Sequence, residues 1–255
     1  MLRPLLGTIL LTATLHAQTL TDLERRAAGG DLDAQTALGT LYETGGGVPL
    51  DPKRAAELYR QAATAGHIGA QINLATMYLD GAGIARDAPA ALRWFTRAAD
   101  SGSALAQLTL GMIYESGQPG VKSDLRLAAR RYQEAAAQGF MPAQYRLGRL
   151  YEDGRGVTRD LDQAAAWYRK AADQTDPAAQ LRLGILLSPG NGARTDVVEA
   201  HMWLNLSASR WKNEALRVEA VARRAAIEKQ MTEAQISDAI RRSLRWQDTV
   251  GMQQK

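Results

Sequence analysis

The chain has 255 residues, of which 45% are hydrophobic and 23% charged, enough for one large domain or two small ones. It has no cysteine and three histidines, which excludes disulfides, thiolate metal centres and a thiol nucleophile and disfavours an imidazole-rich metal site. The net charge of +4 is too small for sequence-independent binding of nucleic acid, and abundant alanine with only 6% aromatic residues predicts closely packed helices.

The first 17 residues have the pattern of a secretory signal peptide. Arg3 precedes a largely apolar stretch from Leu5 to Leu15. That stretch is too short to cross a bilayer, which takes about 20 residues. We therefore expect cleavage after Ala17, a periplasmic or secreted protein, and no stable membrane anchor once the leader is removed. A buried N-terminal helix is the alternative for this segment.

An Ala–Gln pair recurs along the chain at a spacing of 36 or 37 residues. The pair begins at Ala34, Ala70, Ala106, Ala143 and Ala179. Such self-similarity is the signature of a repeat architecture. The predicted repeats are 34–69, 70–105, 106–142, 143–178 and 179–208.

Each repeat predicts two helices joined by a tight loop. Apolar residues at i, i+4 and i+8 form one stripe on the first helix, as in Ala34, Leu38 and Tyr42. Gly39 has no Cβ beside this stripe, so a second helix can approach closely. An aspartate then caps the second helix, at Asp51, Asp87, Asp124, Asp160 and Asp196. Such a hairpin cannot bury its own apolar face, so neighbouring hairpins must stack.

The residues that recur at equivalent positions of these repeats resemble the Sel-one-like repeats, relatives of the tetratricopeptide repeats. The matching pattern is A-Q-x-x-L-G-x-x-Y-x-x-G-x-G-V-x-x-D, followed by A-x-x-x-Y-x-x-A-A-x-x-G. The resemblance implies an all-α, right-handed superhelical solenoid that acts mainly as an interaction scaffold. It carries no universal catalytic residues, so none is transferred and no cofactor is expected. The fifth repeat departs from the pattern at Leu187, Ala193 and Trp211.

Both ends of the repeat array are expected to be capped. Residues 18–33 resemble a partial repeat. Residues 209–255, with ten basic and six acidic side chains, resemble the closing helices of exported bacterial members. Thr232 and Gln235 have the spacing of a capping box. An i, i+4, i+8 stripe is then predicted to cover the last repeat, formed by Ile236, Ile240 and Leu244.

No catalytic constellation is visible in the sequence. The HExxH, GxSxG and GxxxxGK motifs are missing. Loops such as 45–47 could be taken for phosphate loops, but they recur once per repeat and are interpreted as structural turns. His67 and His201 are interpreted as surface or packing residues rather than ligands. We therefore predict no catalytic, cofactor-binding or metal-binding residue.

Other polar and aromatic clusters also receive structural interpretations. Carboxylates at the ends of first helices are interpreted as solvated, as in Glu43, Glu115 and the pair Glu152–Asp153. Trp94, Trp167 and Trp203 are interpreted as helix–helix core. The basic pairs 223–224 and 241–242 are interpreted as solvated helix faces rather than phosphate or lipid contacts, because acidic residues interleave with them.

One side of the first helices is more apolar than a repeat requires. Two positions per repeat point away from the core stripe, toward the concave side of a tetratricopeptide-type solenoid. From the second repeat onward they supply a candidate partner-binding groove of Ile72, Leu108, Met112, Tyr145, Arg149, Leu181 and Ile185. Exposed apolar strips often mark binding sites. The alternative is that these residues only pack between neighbouring first helices.

The leading functional hypothesis is an exported scaffold or adaptor that binds a peptide or protein partner in this groove. No binding to nucleic acid is expected. The alternative is an envelope enzyme of the β-lactam or peptidoglycan-related kind described for some cysteine-rich members of the family. It is disfavoured because neither their disulfide framework nor a nucleophile–base pair is present. A regulatory adaptor in envelope or secretion signalling differs from the first hypothesis only in its partner.

Overall fold

The computed structural model describes residues 19–191, 194–210 and 214–253, and these residues form thirteen α-helices. Helix α1 covers residues 19–28. The others are α2 (Leu32–Thr44), α3 (Pro52–Thr64), α4 (Ile68–Asp80), α5 (Ala88–Asp100), α6 (Ala104–Ser116), α7 (Leu125–Ala137), α8 (Met141–Asp153), α9 (Leu161–Asp173), α10 (Pro177–Leu186), α11 (Val197–Arg210), α12 (Glu214–Glu228) and α13 (Glu233–Gln253). The predicted leader and two of the fifth-repeat departures, Ala193 and Trp211, lie outside the described residues.

The chain divides into two compact units, one through Ser123 and one from Asp124 onward. In the first unit, α2 packs against α3 and α4 against α5. In the second unit, α8 packs against α9 and α10 against α11, and both α12 and α13 contact α11. The expected all-α architecture of helix–turn–helix repeats followed by C-terminal helices is thereby confirmed.

The aspartates predicted to start the second helices do so. Each accepts a hydrogen bond from the backbone N–H three residues further on, at 2.8–3.0 Å. The five are Asp51, Asp87, Asp124, Asp160 and Asp196. A cap of this kind satisfies an N–H group that the helix leaves unpaired and stabilises it by about 1 kcal/mol. These helix starts are therefore encoded locally.

The close approach predicted at the glycine column is present within both units. A Cβ added to Gly39 would lie 2.7 Å from the ring of Tyr59, and one added to Gly148 would lie 2.8 Å from the ring of Tyr168. Both tyrosines are fully buried. The glycine therefore lets the second-helix ring lie directly on the first helix, because any side chain would occupy the space that the ring fills.

The glutamine of each Ala–Gln pair also has a structural role, which the sequence did not reveal. Its side-chain Nε2 donates to a backbone carbonyl eight residues earlier, at the end of the preceding second helix, at 3.1–3.3 Å. The five donors are Gln35, Gln71, Gln107, Gln144 and Gln180, all buried. Because the last carbonyls of a helix lack partners within it, this column ties each repeat to the next.

The capping box at the start of α13 is confirmed. The amide of Gln235 donates to the Thr232 hydroxyl at 3.3 Å, and the amide of Thr232 donates to the Gln235 side chain at 2.8 Å. These two reciprocal bonds satisfy donors at the beginning of the helix.

The predicted covering stripe on α13 is wrong. Ile240 and Leu244 are 43% and 55% exposed, whereas Ala239 and Ser243, one residue earlier, are buried. Trp246 fixes this rotation because its ring packs edge-on against Trp203 of α11, with ring centroids 5.8 Å apart. The face of α13 that covers the core is therefore turned by about 100° from the one that the apolar spacing predicts.

Candidate partner-binding site

The predicted groove residues differ in exposure. Leu108 (8% exposed), Leu181 (4%) and Ile185 (9%) are buried. Ile72 and Tyr145 are half-buried, whereas Met112 and Arg149 are exposed. Ile72, Leu108 and Met112 belong to the first unit and the other four to the second. The surface that a partner can reach therefore centres on Met112 in one unit and on Tyr145 and Arg149 in the other.

In the second unit, a connected group of side chains joins α8, α9 and α10. The ring of Tyr145 on α8 lies 5.6 Å from that of Tyr168 on α9. The Tyr168 hydroxyl donates to Glu152 Oε2 at 2.6 Å, and the Arg182 guanidinium lies 3.3 Å from Glu152 Oε1. We call the surface formed by Tyr145, Arg149, Glu152 and Arg182 over Tyr168 the α8–α10 face.

The electrostatics of this face keep both phenols neutral. Burial raises the pKa of Tyr168, and its hydrogen bond to the Glu152 carboxylate raises that pKa further. Burial also raises the pKa of Tyr145, although the positive charges of Arg149 and Arg182 oppose this. Both phenols are therefore protonated at neutral pH and can act as hydrogen-bond donors.

The first unit contains a related arrangement. The Tyr59 hydroxyl donates to Glu43 Oε2 at 2.7 Å and lies 3.0 Å from the Thr40 hydroxyl. The interpretation of Glu43 and Glu152 as solvated residues is therefore wrong, because each receives the hydroxyl of a buried tyrosine. The Glu152 side chain is only 16% exposed.

A sequence signal for these carboxylate–tyrosine pairs exists within the single chain. Repeats with a tyrosine on the second helix carry glutamate at the end of the first, as in Glu43 with Tyr59 and Glu152 with Tyr168. The second repeat instead combines Leu79 with Phe95. Glutamate therefore occurs in the repeats whose second helix carries a tyrosine hydroxyl. A comparison of this first-helix position with the second-helix position across the repeats would have predicted the pairing.

Both histidines of the described chain have structural roles, as expected. His67 caps α4, since its Nδ1 accepts from the Ala70 amide at 3.0 Å. His201 is 1% exposed, and its Nε2 lies 2.7 Å from Glu228 Oε1. Among the described residues, no group of three or more His, Cys, Asp or Glu side chains could hold a metal ion.

The tryptophans are only partly core residues. Trp203 is 2% exposed and fits the expectation. Trp94 and Trp167 are half-buried, and a cationic side chain lies over each ring. The Arg97 guanidinium is 4.6 Å from the Trp94 ring centroid, and the Lys170 ammonium is 4.0 Å from that of Trp167. These two indoles lie at the margin of the core, where a cation–π contact covers the remaining ring surface.

The basic pairs of the C-terminal helices lie on solvated faces, as expected, except at Arg224. The Arg224 side chain is 30% exposed, and its guanidinium pairs with Glu228 and donates to Asn205 Oδ1 on α11. Arg223 pairs with Glu219, and both Arg241 and Arg242 pair with Asp238. Within the described part of the chain, no helix has the length and apolar character needed to cross a membrane.

A cavity of about 470 Å³ lies elsewhere in the second unit, between α9 and the start of α11. Arg169 lines it and contacts both oxygens of Glu199 at 2.7 and 2.8 Å. Glu199 also accepts the Trp203 indole N–H at 2.9 Å. These charges are therefore paired within the protein, and none of the predicted groove residues lines the cavity.

A family model for the Sel1 repeat matches the chain five times. The matched segments are residues 32–67, 68–103, 104–140, 142–176 and 177–210. Each begins at or near the start of a first helix, one or two residues before the repeat bounds expected from the Ala–Gln spacing. A comparison with curated proteins found no match.

Two solved structures are similar over most of the chain. A protective antigen present in uropathogenic Escherichia coli strains, displaying an SLR fold, is 33% identical, with a TM-score of 0.72 over 90% of this chain and 48% of its own. A Sel1 repeat protein from Oxalobacter formigenes is 31% identical, with a TM-score of 0.73 over 84% of this chain and 88% of its own. The chain thus spans about half the length of the E. coli antigen.

Proposed function

We propose a function from one established premise: the chain belongs to the Sel1 repeat family. Proteins of this family are generally non-catalytic scaffolds that bind protein partners, and this chain is a protein-interaction repeat protein of that kind. We propose further that it is an exported scaffold or adaptor that holds a peptide segment or protein partner in the predicted concave groove along its first helices.

The exposure of large side chains on the first helices carries this proposal. Met112 is 40% exposed on α6, and Tyr145 is partly exposed on α8, one helical turn before Arg149. Aromatic and long apolar anchors supply most of the energy in protein interfaces. A core role explains Leu108, Leu181 and Ile185, but it leaves the exposed surface of Met112 and Tyr145 without a function.

Export is supported by the leader pattern of the sequence. We expect full-length protein to be processed near Ala17 and found in the periplasm or medium, and protein lacking residues 1–17 to remain in the cytoplasm. The measurement is cell fractionation with mass spectrometry of the mature N-terminus. Full-length protein found uncut in the cytoplasm or in the membrane fraction would contradict export.

Partner binding is tested on one pair of variants. Met112→Ser with Tyr145→Ser should lower the amount of partner captured by the mature protein about tenfold or more, because it removes two interface anchors. Because the Tyr145 ring packs on Tyr168, the melting temperature should fall somewhat, and the loss of capture should exceed the loss of folded protein. The matched control is Val218→Ser, which removes an apolar side chain that is 55% exposed on α12.

Melting and capture are measured on the same samples. If the two serines lower stability strongly and capture falls only with the folded fraction, these side chains serve packing and the binding proposal fails. Capture that is unchanged in the variant would also refute it.

A further inference from the structure

We propose that the cavity between α9 and the start of α11 binds a neutral aromatic ring of the size of a tyrosine side chain. A small aromatic molecule or a side chain of a protein partner can supply such a ring. None of the predicted groove residues lines this cavity, so the inference goes beyond the proposed function and does not depend on it. It follows from the place of the cavity in the repeat, from its lining and from its volume.

The cavity lies beside the one repeat position where the fifth repeat lacks a tyrosine. The first four repeats carry tyrosine near the end of the first helix, at Tyr42, Tyr78, Tyr114 and Tyr151, and the fifth carries Leu187. The backbone is equivalent at this position. The amide of the capping aspartate donates to the carbonyls of Tyr42, Tyr78 and Tyr151 at 2.8–3.0 Å, and the amide of Asp196 donates to the Leu187 carbonyl at 3.0 Å. Leu187 is therefore the structural counterpart of the four tyrosines.

A tyrosine at this position fills space between successive repeats. Tyr78 packs against two buried clusters, one that contains Ala56 of α3 and one that contains Phe95 of α5. The residue equivalent to Ala56 in the fourth repeat is Ala165 of α9, and both Ala165 and Leu187 line the cavity. Leucine lacks the ring that makes these contacts. The cavity therefore corresponds to the space that a tyrosine ring fills in the second repeat.

The charges of the lining are compensated within the protein. Arg169 contacts both carboxylate oxygens of Glu199, at 2.7 and 2.8 Å. Asp196 accepts the Glu199 amide at 2.9 Å as the cap of α11, where a negative charge is stabilised by the helix. Asp162 and Arg194 have opposite charges and line the same cavity. A charged ligand would find no unpaired counter-charge to offset its desolvation, so the lining favours a neutral one.

The volume and the remaining contacts suit a phenol. About 470 Å³ lies within the range of about 300–1,000 Å³ that is usual for small-molecule sites. Ala165 and Leu187 supply apolar contacts, and the Arg169 guanidinium is a cation of the kind that aromatic rings attract. The Asp162 carboxylate and the Thr195 hydroxyl can accept a phenolic hydrogen. An aromatic ring with one hydroxyl therefore complements the cavity.

The experiment titrates p-cresol, the tyrosine side chain as a free molecule, into the mature protein, residues 18–255. Its saturated analogue, methylcyclohexanol, is titrated in parallel. Binding is followed by thermal unfolding and by the indole N–H signals in NMR spectra. The Trp203 indole reports on the cavity, because it donates to the lining residue Glu199 at 2.9 Å. The Trp94 indole, in the first unit, is the internal control.

Three variants at one position accompany the titration. Leu187→Tyr and Leu187→Phe place a ring in the cavity, whereas Leu187→Met keeps the volume of leucine and is the matched control. We expect p-cresol to shift the Trp203 signal saturably. It should raise the melting temperature of wild type and of Leu187→Met by about 3 °C at a concentration ten times the dissociation constant. Leu187→Tyr should melt above wild type without ligand and should not respond to p-cresol.

Several results would overturn the inference. They are the absence of a saturable p-cresol effect, an equal shift of the Trp94 signal, and an undiminished response in the folded ring variants. Binding of methylcyclohexanol as tight as that of p-cresol contradicts an aromatic site. If neither ring variant folds, the Trp203 and Trp94 signals of the wild type and of Leu187→Met decide the question.

Two peptides distinguish the sources of the ring. One has a tyrosine between glycines and blocked ends, and the other has alanine in place of the tyrosine. Displacement of p-cresol by the tyrosine peptide alone assigns the cavity to a side chain of a protein partner. Binding of p-cresol that neither peptide displaces assigns it to a small aromatic molecule. Equal displacement by both peptides contradicts recognition of a ring. Because the groove residues lie elsewhere, any of these failures leaves the proposed scaffold function standing.

Discussion

Gly156→Ala is expected to destabilise the second unit by about 2–5 kcal/mol, the largest effect of an added methyl group among the glycines that the structure describes. Gly156 has φ of 74°, where an L side chain costs about 1–2 kcal/mol. Its Cβ would also lie 2.1 Å from the backbone oxygen of Leu125, so one of the two segments must move. Thermal and urea unfolding followed by circular dichroism measure the loss.

Gly139→Ala is the matched control for this prediction. Gly139 has φ of 84°, but nothing lies within 4 Å of an added Cβ. It should therefore incur only the backbone strain of about 1–2 kcal/mol. Equal losses in the two variants would mean that the contact between the repeat loop and Leu125 is not tight.

Tyr168→Phe is expected to cost about 1.5–3 kcal/mol, because it removes the hydroxyl that donates to a charged carboxylate. Glu152 is 16% exposed, so water replaces the lost donor poorly. The same change leaves the ring packing over Gly148 intact. The loss measured by unfolding therefore reports the hydrogen bond rather than the core volume.

The second repeat supplies the compensating control. There Leu79 and Phe95 occupy the positions of Glu152 and Tyr168, and Thr109 of the third repeat occupies the position of Arg182. Leu79 packs against the cluster that contains Phe95. Adding Glu152→Leu and Arg182→Thr to Tyr168→Phe should recover most of the stability, because the buried polar partners are then removed together. A triple variant less stable than Tyr168→Phe would show that the network does not act as a unit.

The local parts of the fold could be predicted from the sequence because their causes lie within a few residues. Asp51 and its equivalents cap a helix by accepting a hydrogen bond from the amide three residues further along the chain. Gly39 lets the second helix approach the first closely, and glycine recurs at this position in other repeats. A repeated chain presents each such cause several times. This makes the pattern visible without any structure.

The buried face of α13 could not be predicted in this way. Its apolar spacing favours Ile236, Ile240 and Leu244, but the helix is rotated by the packing of Trp246 on Trp203 and by the bond from Asn205 to Ser243 at 3.1 Å. Both partners lie about 40 residues away along the chain. Tertiary contacts of this length override a local stripe.

The candidate site was predicted only in outline. Spacing places Leu108, Met112 and Tyr145 on one side of the first helices, but it does not give the depth of each residue. Leu108 is 8% exposed and Met112 40%, although they lie one helical turn apart. The Arg182–Glu152–Tyr168 network joins three helices. Because its members occupy different positions of the repeat, the spacing of residues along any one helix does not predict it.

Site-specific photo-crosslinking in living cells tests the central claim, partner binding on the first-helix side, most directly. A benzophenone amino acid is placed at Met112 or Arg149, and at Glu57 and Arg126 as exposed controls on second helices. We predict adducts to the same partner from Met112 and Arg149 and none from the two controls. Adducts confined to Glu57 and Arg126, or none from any position while capture by the wild type persists, would contradict the assignment.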